Sequence, residues 1–315
     1  MKKILLSVAT LLVAGVVSAQ TATEVNTKFN EAATLLNEKN YAGAVTAFEE
    51  TISMAQGSDE DVTSTLSDAQ KYLVSTYITY GKSIAAKGSF DESLVVFQKA
   101  YDLASLTSNI KGKMDSENML VAVYSAQGSA KLKAEDNAGA LEIYEKAVAI
   151  SPKNTKTLLT AAQLSAKTGD LEKAGTYYES IIALGESHSK YQPDAEKAKA
   201  AYTIDLINTA VTAPDYDTAE ASLNKILSFD PESATALSTL VKTANNYKKY
   251  DVVIANADKA IEVQTEDVEK SNLNFLAGVA YEVKENTTKA VSHYKQVTAG
   301  DNAAAAKAQI SAISK

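Results

Sequence analysis

A short sequence phrase recurs along most of the chain, and it constrains the fold more than any other feature. In most copies an aromatic residue precedes a small residue, and an aromatic or aliphatic residue follows four positions later, as in Tyr41, Ala44 and Phe48. Seven copies are spaced 34 to 49 residues apart. Such a period is typical of arrays in which each unit packs on its neighbours. We therefore expect about seven stacked units. The small position is occupied by Ala44, Ser93, Ala140, Ala174, Ala219, Val253 and Ala290.

Residues that favour the start of a helix precede most of these copies. Six of the seven residues four positions before the small one have side chains that accept hydrogen bonds from first-turn amides. Ser89 with Glu92 also fits a capping box. Alanine, leucine, lysine and glutamate prevail between the caps, which favours helices. The sequence thus predicts an all-α fold. The seven positions are Asn40, Ser89, Asp136, Asp170, Asp215, Lys249 and Asn286.

The repeat resembles the tetratricopeptide repeat (TPR), a helix–turn–helix unit of roughly 34 residues with small residues where its two helices cross. The family's second small position is filled by Ala32, Gly81, Gly128, Ala162 and Gly278, while Ile207 and Val241 depart from it. Pro152 and Pro231 stand where the family often has a proline. The longer intervals are interpreted as first helices extended at their N-termini, around residues 61–87 and 194–213.

The resemblance implies an α-solenoid of about seven TPR-like helix–turn–helix units with a C-terminal capping helix. This domain is expected to cover residues 20–315. We place the units near residues 25–58, 60–107, 118–154, 155–190, 194–233, 234–268 and 270–302, and the capping helix at 303–315.

The first nineteen residues have the pattern of a secretory signal peptide. Lys2 and Lys3 precede an apolar run, Ile4 to Val17, and we expect cleavage after Ala19. The run is shorter than the roughly 20 residues that span a bilayer, which disfavours the alternative of an uncleaved anchor. No later segment has the length and apolar content of a membrane span. The mature protein is therefore predicted to be periplasmic or secreted.

Composition removes several classes of function. All 31 basic residues are lysines and the net charge is −8, which argues against nucleic acid as a partner. Without cysteine there is neither a thiolate nucleophile nor a cysteine zinc site. His188 and His293 lie far apart in sequence, and the acidic cluster at residues 59–61 fits helix caps better than a calcium loop. We predict no catalytic residue, no metal site and no cofactor.

Sixteen tyrosines are present, and nine occupy repeat positions where packing explains them. Tyr80 and Tyr202 are free of that pattern and are candidates for a binding surface. The resemblance further implies that the first helix of each unit lines a concave, peptide-binding face. Mapping its inward positions onto this chain gives Ser75, Ile78, Lys82, Ser125, Ser129, Lys156, Leu159, Gln163, Ile204, Asn208, Thr235, Ser238, Lys242, Asn245, Asn272 and Phe275.

Three functions fit this sequence. The leading one is a non-enzymatic protein–protein interaction scaffold in the bacterial cell envelope, which binds partner segments in the groove. The second is a periplasmic assembly factor or holdase for outer-membrane or secreted proteins. The third is a glycan- or peptidoglycan-binding or -processing protein, which the absence of tryptophan disfavours. The carboxylate clamp of some family members uses arginine, so this chain does not reproduce it.

Overall fold

The computed structural model describes residues 20–314, and the predicted signal peptide lies outside them. In this range the chain is all-α and forms fifteen α-helices and one 3₁₀ turn, Ser189–Tyr191. The helices are α1 (Ala22–Asn37), α2 (Tyr41–Gln56), α3 (Thr63–Ala85), α4 (Phe90–Leu106), α5 (Ile110–Lys133), α6 (Asn137–Ile150), α7 (Thr155–Lys167), α8 (Leu171–Ser187), α9 (Gln192–Thr212), α10 (Tyr216–Phe229), α11 (Ala234–Asn246), α12 (Tyr250–Val263), α13 (Asp267–Val283), α14 (Thr287–Lys295) and α15 (Asn302–Ile313).

The chain divides into two compact units between Thr157 and Leu158, within α7. From here on, the first unit is the part up to Thr157 and the second unit is the part from Leu158, and each contains several repeats. In the first unit, α1 to α6 pack in sequential antiparallel order, and the first helices of consecutive pairs also touch, as α3 and α5 do. In the second unit, α8 to α15 follow the same order, and α11 touches α13. This sequential helix packing confirms the predicted TPR-like solenoid fold.

Glycine permits the close approach of the two helices in several pairs. A Cβ atom on Gly81 would lie 2.6 Å from the ring of Phe97, and one on Gly128 would lie 2.6 Å from the ring of Tyr144. A Cβ on Gly278 would lie 2.5 Å from the ring of Tyr294. The second small position of the repeat therefore faces the aromatic residue of the following helix.

Five of the six predicted caps form. Asn40, Asp136, Asp170, Asp215 and Asn286 each accept a hydrogen bond from a first-turn amide. The predicted cap and capping box at Ser89 are wrong, since its side chain makes no cap hydrogen bond. Ser89 has nearly the backbone conformation of Asn40, with ψ of 66° against 72°. We attribute the difference to side-chain length, because the serine hydroxyl is one bond closer to the backbone than the asparagine oxygen.

The residues that lengthen three intervals belong to long first helices. α3, α5 and α9 contain 23, 24 and 21 residues. α5 begins at Ile110, eight residues before the repeat start that was predicted near residue 118. Its first turn packs on α3, because a Cβ on Gly112 would lie 2.6 Å from the side chain of Val74. The C-terminal helix α15 packs on α13 and α14, with Ala306 buried.

Candidate peptide-binding surface

Most side chains predicted for the inner face of the first helices are accessible. Nine of the sixteen are exposed, five are partly buried and two are buried. The exposed ones are Ser75, Lys82, Ser129, Lys156, Gln163, Ile204, Asn208, Thr235 and Lys242; Ser125, Leu159, Asn245, Asn272 and Phe275 are partly buried; Ile78 and Ser238 are buried.

In the first unit, an apolar groove of about 210 Å³ opens between α3 and α5 above α4. Lys82 stands on the α3 side, and Phe97, which is 1% exposed, contributes to the lining from α4. We name this feature the Lys82 groove. It is lined by Lys82, Ala85, Phe90, Phe97, Met119, Ala122, Val123 and Ala126.

Four other predicted residues of the first unit make contacts within their own helix or with neighbouring helices. Ile78 is part of the hydrophobic core. The Ser129 hydroxyl lies 3.2 Å from the hydroxyl of Tyr144, which donates to the backbone carbonyl of Ser125 at 3.4 Å. These two serines therefore fix α6 against α5, and the Ser75 hydroxyl donates to the Tyr72 carbonyl of its own helix.

In the second unit, α9 has an uncovered aliphatic face. Ile204 is 62% exposed and Val211 is 68% exposed, and Asn208 lies between them on the same side of the helix. The mapping of inward positions missed Val211. Its spacing of seven residues from Ile204 would have identified it, because residues seven apart lie on one helical face.

Several predicted residues of α11 and α13 hold neighbouring helices together. Lys242 forms an ion pair of 2.5 Å with Glu269. The buried Ser238 hydroxyl accepts a hydrogen bond of 2.8 Å from the Gln264 amide. Both contacts tie α11 to the chain that forms the next pair. The Lys242 ammonium is thus neutralised within the protein, which distinguishes it from Lys82.

At the C-terminal end, two further predicted residues contact the helices that follow them. The Asn272 oxygen accepts a hydrogen bond of 3.1 Å from the Asn302 amide, which ties α13 to α15. The rings of Phe275 and Tyr294 are 5.7 Å apart, so Phe275 takes part in packing against α14. These two side chains contribute to the end of the array.

Three of the buried tyrosines donate hydrogen bonds to carboxylates. Tyr178 donates a hydrogen bond of 2.9 Å to Asp205, and Tyr294 donates one of 2.7 Å to Glu282. Tyr77 donates in the same way to Glu49. Burial, reinforced by the carboxylate partner, raises the pKa of each of these three phenols well above its usual value. These hydroxyls therefore remain protonated donors, as expected for packing residues at repeat positions.

The prediction that Tyr202 belongs to a binding surface is wrong. Its side chain is buried, and its ring stacks on that of Tyr178 with centroids 5.0 Å apart. Burial and the nearby Glu179 raise the pKa of Tyr202 to about 12. Tyr80 is partly buried and packs against the hydrophobic core of the first unit.

The two histidines lie in different surroundings. His188 is exposed and its ring lies edge-on to Tyr191. His293 is stacked on Tyr281, and burial lowers its pKa although Asp258 opposes the change. Within residues 20–314, no cluster of three or more histidine, aspartate or glutamate side chains has the arrangement of a metal site. None of the helices in that range has the length and apolar content needed to cross a membrane.

Residues 131–201 match the family model described as tetratricopeptide repeat. This segment runs from the end of α5 into α9, so the family match includes both helices of the pair α7 and α8. No curated protein matches the sequence.

Several solved structures are similar to this chain at low sequence identity. The C-terminal part of a TPR repeat-containing protein from Cytophaga hutchinsonii is 16% identical, with 85% of this chain and 93% of that chain covered and a TM-score of 0.35. A tetratricopeptide repeat protein from Parabacteroides merdae is 14% identical, with 92% and 99% covered and a TM-score of 0.27. The MamA protein is 20% identical, with 56% and 89% covered and a TM-score of 0.33. At such TM-scores these likenesses carry no argument about function.

Proposed function

We propose that this tetratricopeptide repeat protein is a non-enzymatic protein–protein interaction scaffold in the bacterial cell envelope. The observation that carries the proposal is the uncovered surface of first helices within each unit. In the first unit this surface contains the apolar Lys82 groove, and in the second it contains the exposed Ile204 and Val211 of α9. Exposed aliphatic residues beside polar ones are suited to a partner segment that lies along a helix.

Several polar side chains of the helix stacks already have partners within the protein, whereas the accessible residues of the first helices can contact a peptide. The tyrosines with raised pKa values donate to carboxylates within the helix stacks, and so do several lysines, for example Lys242 to Glu269. These groups therefore stabilise the packing of neighbouring helices. The accessible residues of the first helices are chiefly hydroxyl, amide, ammonium and aliphatic, which recognise a peptide through hydrogen bonds and shallow apolar contacts.

The envelope location rests on the sequence of residues 1–19. The lysine pair, the apolar run and the small residues before position 20 are the features of an exported precursor. We expect the mature chain to begin at Gln20. N-terminal sequencing of the protein recovered from the periplasmic fraction and the culture medium tests this location, and recovery of an uncleaved chain in the cytoplasm would contradict it.

The binding role is tested by crosslinking in living cells. A photoreactive amino acid is placed at Lys82 in the first unit and, in a second strain, at Asn208 in the second unit. Lys146, which is exposed on the second helix α6, is the matched control position. We expect a small, reproducible set of envelope proteins to be captured from the first-helix positions and to be absent from the control.

Other results would point to the alternative functions. Capture of many unrelated unfolded exported proteins would favour the assembly factor or holdase. Capture of peptidoglycan fragments or other glycans, without protein, would favour the third function. Equal capture from Lys146 and from Lys82 would contradict a binding surface on the first helices.

A further inference from the structure

We infer that the corner between α4 and α5 inserts its apolar side chains into the surface of a lipid bilayer, so that the first unit docks on a membrane without spanning it. The corner comprises residues 106–114, from the last residue of α4 into the first turns of α5, and we name it the Leu106 corner. The inference goes beyond the proposed function, because it needs no partner protein and does not involve the Lys82 groove.

The Leu106 corner has the most exposed large apolar side chains of the described chain. Leu106 is 81% exposed and Ile110 is 75% exposed, and within residues 20–314 no other large apolar side chain is more than 68% exposed. Met114 is 58% exposed and stands one turn after Ile110 on the same face of α5. Three large apolar side chains therefore project into solvent from one corner.

The opposite faces of the same helices are directed to the core. Ala104 of α4 is buried, and Leu106, two residues later, is turned by about 200° around the helix axis. Gly112 of α5 packs on α3, and Ile110 and Met114 each lie two residues from it. All three apolar side chains therefore point away from the core, and a change of rotamer cannot bury them within the first unit.

Hydrogen bonds hold the connection of the Leu106 corner in shape. The backbone N–H of Asn109 donates to the Ala104 carbonyl at 2.8 Å, which closes the end of α4. The Asn109 side chain accepts a hydrogen bond of 2.9 Å from the Gly112 amide, which caps the start of α5. Leu106 and Ile110 are thus fixed on either side of a short connection, and their insertion requires no ordering of the backbone.

The size of the exposed apolar surface favours a bilayer over a second protein as its partner. Three side chains of this kind expose on the order of 300 Å² of apolar surface. A stable protein interface buries about 800 Å² on each partner, so the corner is too small to hold a second copy by itself. A bilayer requires no complementary shape and takes up apolar side chains that project by a few ångströms.

The charges beside the corner determine which lipids it prefers. Lys111 forms an ion pair of 2.6 Å with Asp115, and the Lys113 ammonium lies 5.3 Å from the centre of the Tyr101 ring. Residues 102–117 contain two lysines and three carboxylates, so cations are not in excess there. The net charge of −8 also opposes approach to an anionic surface. We therefore expect docking on uncharged, zwitterionic lipid.

The amount of hydrocarbon in the three side chains sets the expected affinity. It is close to that of a single myristoyl chain, which binds bilayers reversibly with an association constant of about 10⁴ M⁻¹. Half of the protein should therefore be bound at roughly 0.1 to 1 mM lipid. Truncating one of these side chains to alanine should weaken binding by about three- to tenfold.

The test uses a single tryptophan as a probe, since the sequence contains none. The chain from Gln20 to Lys315 is mixed with phosphatidylcholine vesicles, so that the apolar run at residues 4–17 cannot itself bind lipid. The fluorescence of Ile110→Trp should shift to shorter wavelength and be quenched by brominated lipid. Val95→Trp is the control, because it is exposed on the same side of α4 about 16 Å from Leu106.

A second experiment removes the apolar character of the corner. Leu106→Asp combined with Ile110→Asp should weaken cosedimentation with the same vesicles at least tenfold. The control combines Val211→Asp with Val268→Asp, two exposed positions of the second unit that add the same charge, and it should bind as the unmodified chain does. All four positions are exposed, and circular dichroism melts confirm that each variant is folded.

Several results would overturn the inference. Equal spectral shifts for Ile110→Trp and Val95→Trp would show that insertion is not confined to the corner. Absence of binding at about 1 mM lipid would contradict membrane docking. Binding that requires anionic lipid and is lost at high salt would assign the attraction to lysines. Self-association in analytical ultracentrifugation that the corner variant abolishes, without vesicle binding, would identify a second copy as the partner.

These outcomes are independent of the proposed scaffold. Crosslinking from Lys82 and Asn208 tests the scaffold, whereas the vesicle experiments use the purified protein alone. Vesicle binding without captured envelope proteins would support the corner and contradict the scaffold. Captured envelope proteins without vesicle binding would have the opposite meaning.

Discussion

The aromatic ring of Phe97 occupies the space that a side chain on Gly81 would need. A Cβ atom on Gly81 would lie 2.6 Å from the ring carbon Cε1, and Phe97 is only 1% exposed. α3 and α4 therefore approach closely at this point because residue 81 has no side chain. The repeat of this contact at Gly128 with Tyr144 and at Gly278 with Tyr294 shows that the sequence period encodes a physical contact.

Replacing Gly81 with alanine should destabilise the first unit. The ring of Phe97 is confined, so α3 and α4 would have to separate, at a cost of about 1 to 3 kcal/mol in the free energy of unfolding. Urea denaturation followed by circular dichroism measures the change. Gly57→Ala is the matched control, because its Cβ would meet no atom nearer than 3.7 Å. Equal midpoints for the two variants would contradict the contact.

The two kinds of helix cap should respond differently to truncation. Asn40 accepts a hydrogen bond of 3.1 Å from the Gly43 amide, whereas Ser89 makes no cap bond with its side chain. Asn40→Ala should therefore lower the free energy of unfolding by about 1 kcal/mol. Ser89→Ala should change it by less than about half that amount. Equal losses in thermal or urea unfolding would show that Ser89 caps its helix in solution.

The helix pairs could be predicted because their local contacts follow the repeat. Gly81, Gly128 and Gly278 each face the aromatic residue of the following helix, and five of the seven copies have a side-chain cap at the start of the second helix. Packing between consecutive helices then follows from short connections. The sequence could not show that Ser89 makes no cap. Residue type indicates that serine can cap a helix, but the hydrogen bond forms only if the side chain reaches a first-turn amide.

The binding surface was less predictable than the fold. Residues at equivalent positions of the first helices contact different residues of neighbouring helices, and some have no such contact. Lys82 and Lys242 have the same mapped position type, yet only Lys242 finds a carboxylate, that of Glu269. Phe275 likewise packs against a residue of the next helix, Tyr294 of α14. The Lys242 contact depends on a residue in the next helix pair, and the Phe275 contact depends on the partner helix of its own pair. Position within one repeat therefore cannot separate a binding residue from a packing residue.

The hydrogen bond between Tyr178 and Asp205 should contribute measurably to the stability of the second unit. The Tyr178 side chain is fully buried, and its hydroxyl donates to Asp205 at 2.9 Å. Removing the hydroxyl in Tyr178→Phe should cost about 1 to 2 kcal/mol, because the bond is to a charged acceptor that is partly buried. Tyr250→Phe is the control, since Tyr250 is partly buried and its hydroxyl makes no hydrogen bond within residues 20–314. Urea unfolding that does not distinguish the two variants would contradict this role.

Acidification should destabilise the second unit through His293. Burial lowers the pKa of this imidazole, Lys289 lowers it further, and Asp258 raises it in part. The unfolded chain then binds the proton more readily than the folded one, so folding stability is complete above the unfolded pKa of about 6.5 and falls as the pH drops through the folded pKa. His293→Gln should remove this part of the pH dependence while keeping a polar side chain opposite Asn274, whose oxygen lies 3.1 Å from Nδ1. Thermal unfolding of both proteins at pH 7 and pH 5 measures it, and a loss of stability that is the same in the variant would assign the effect to other groups.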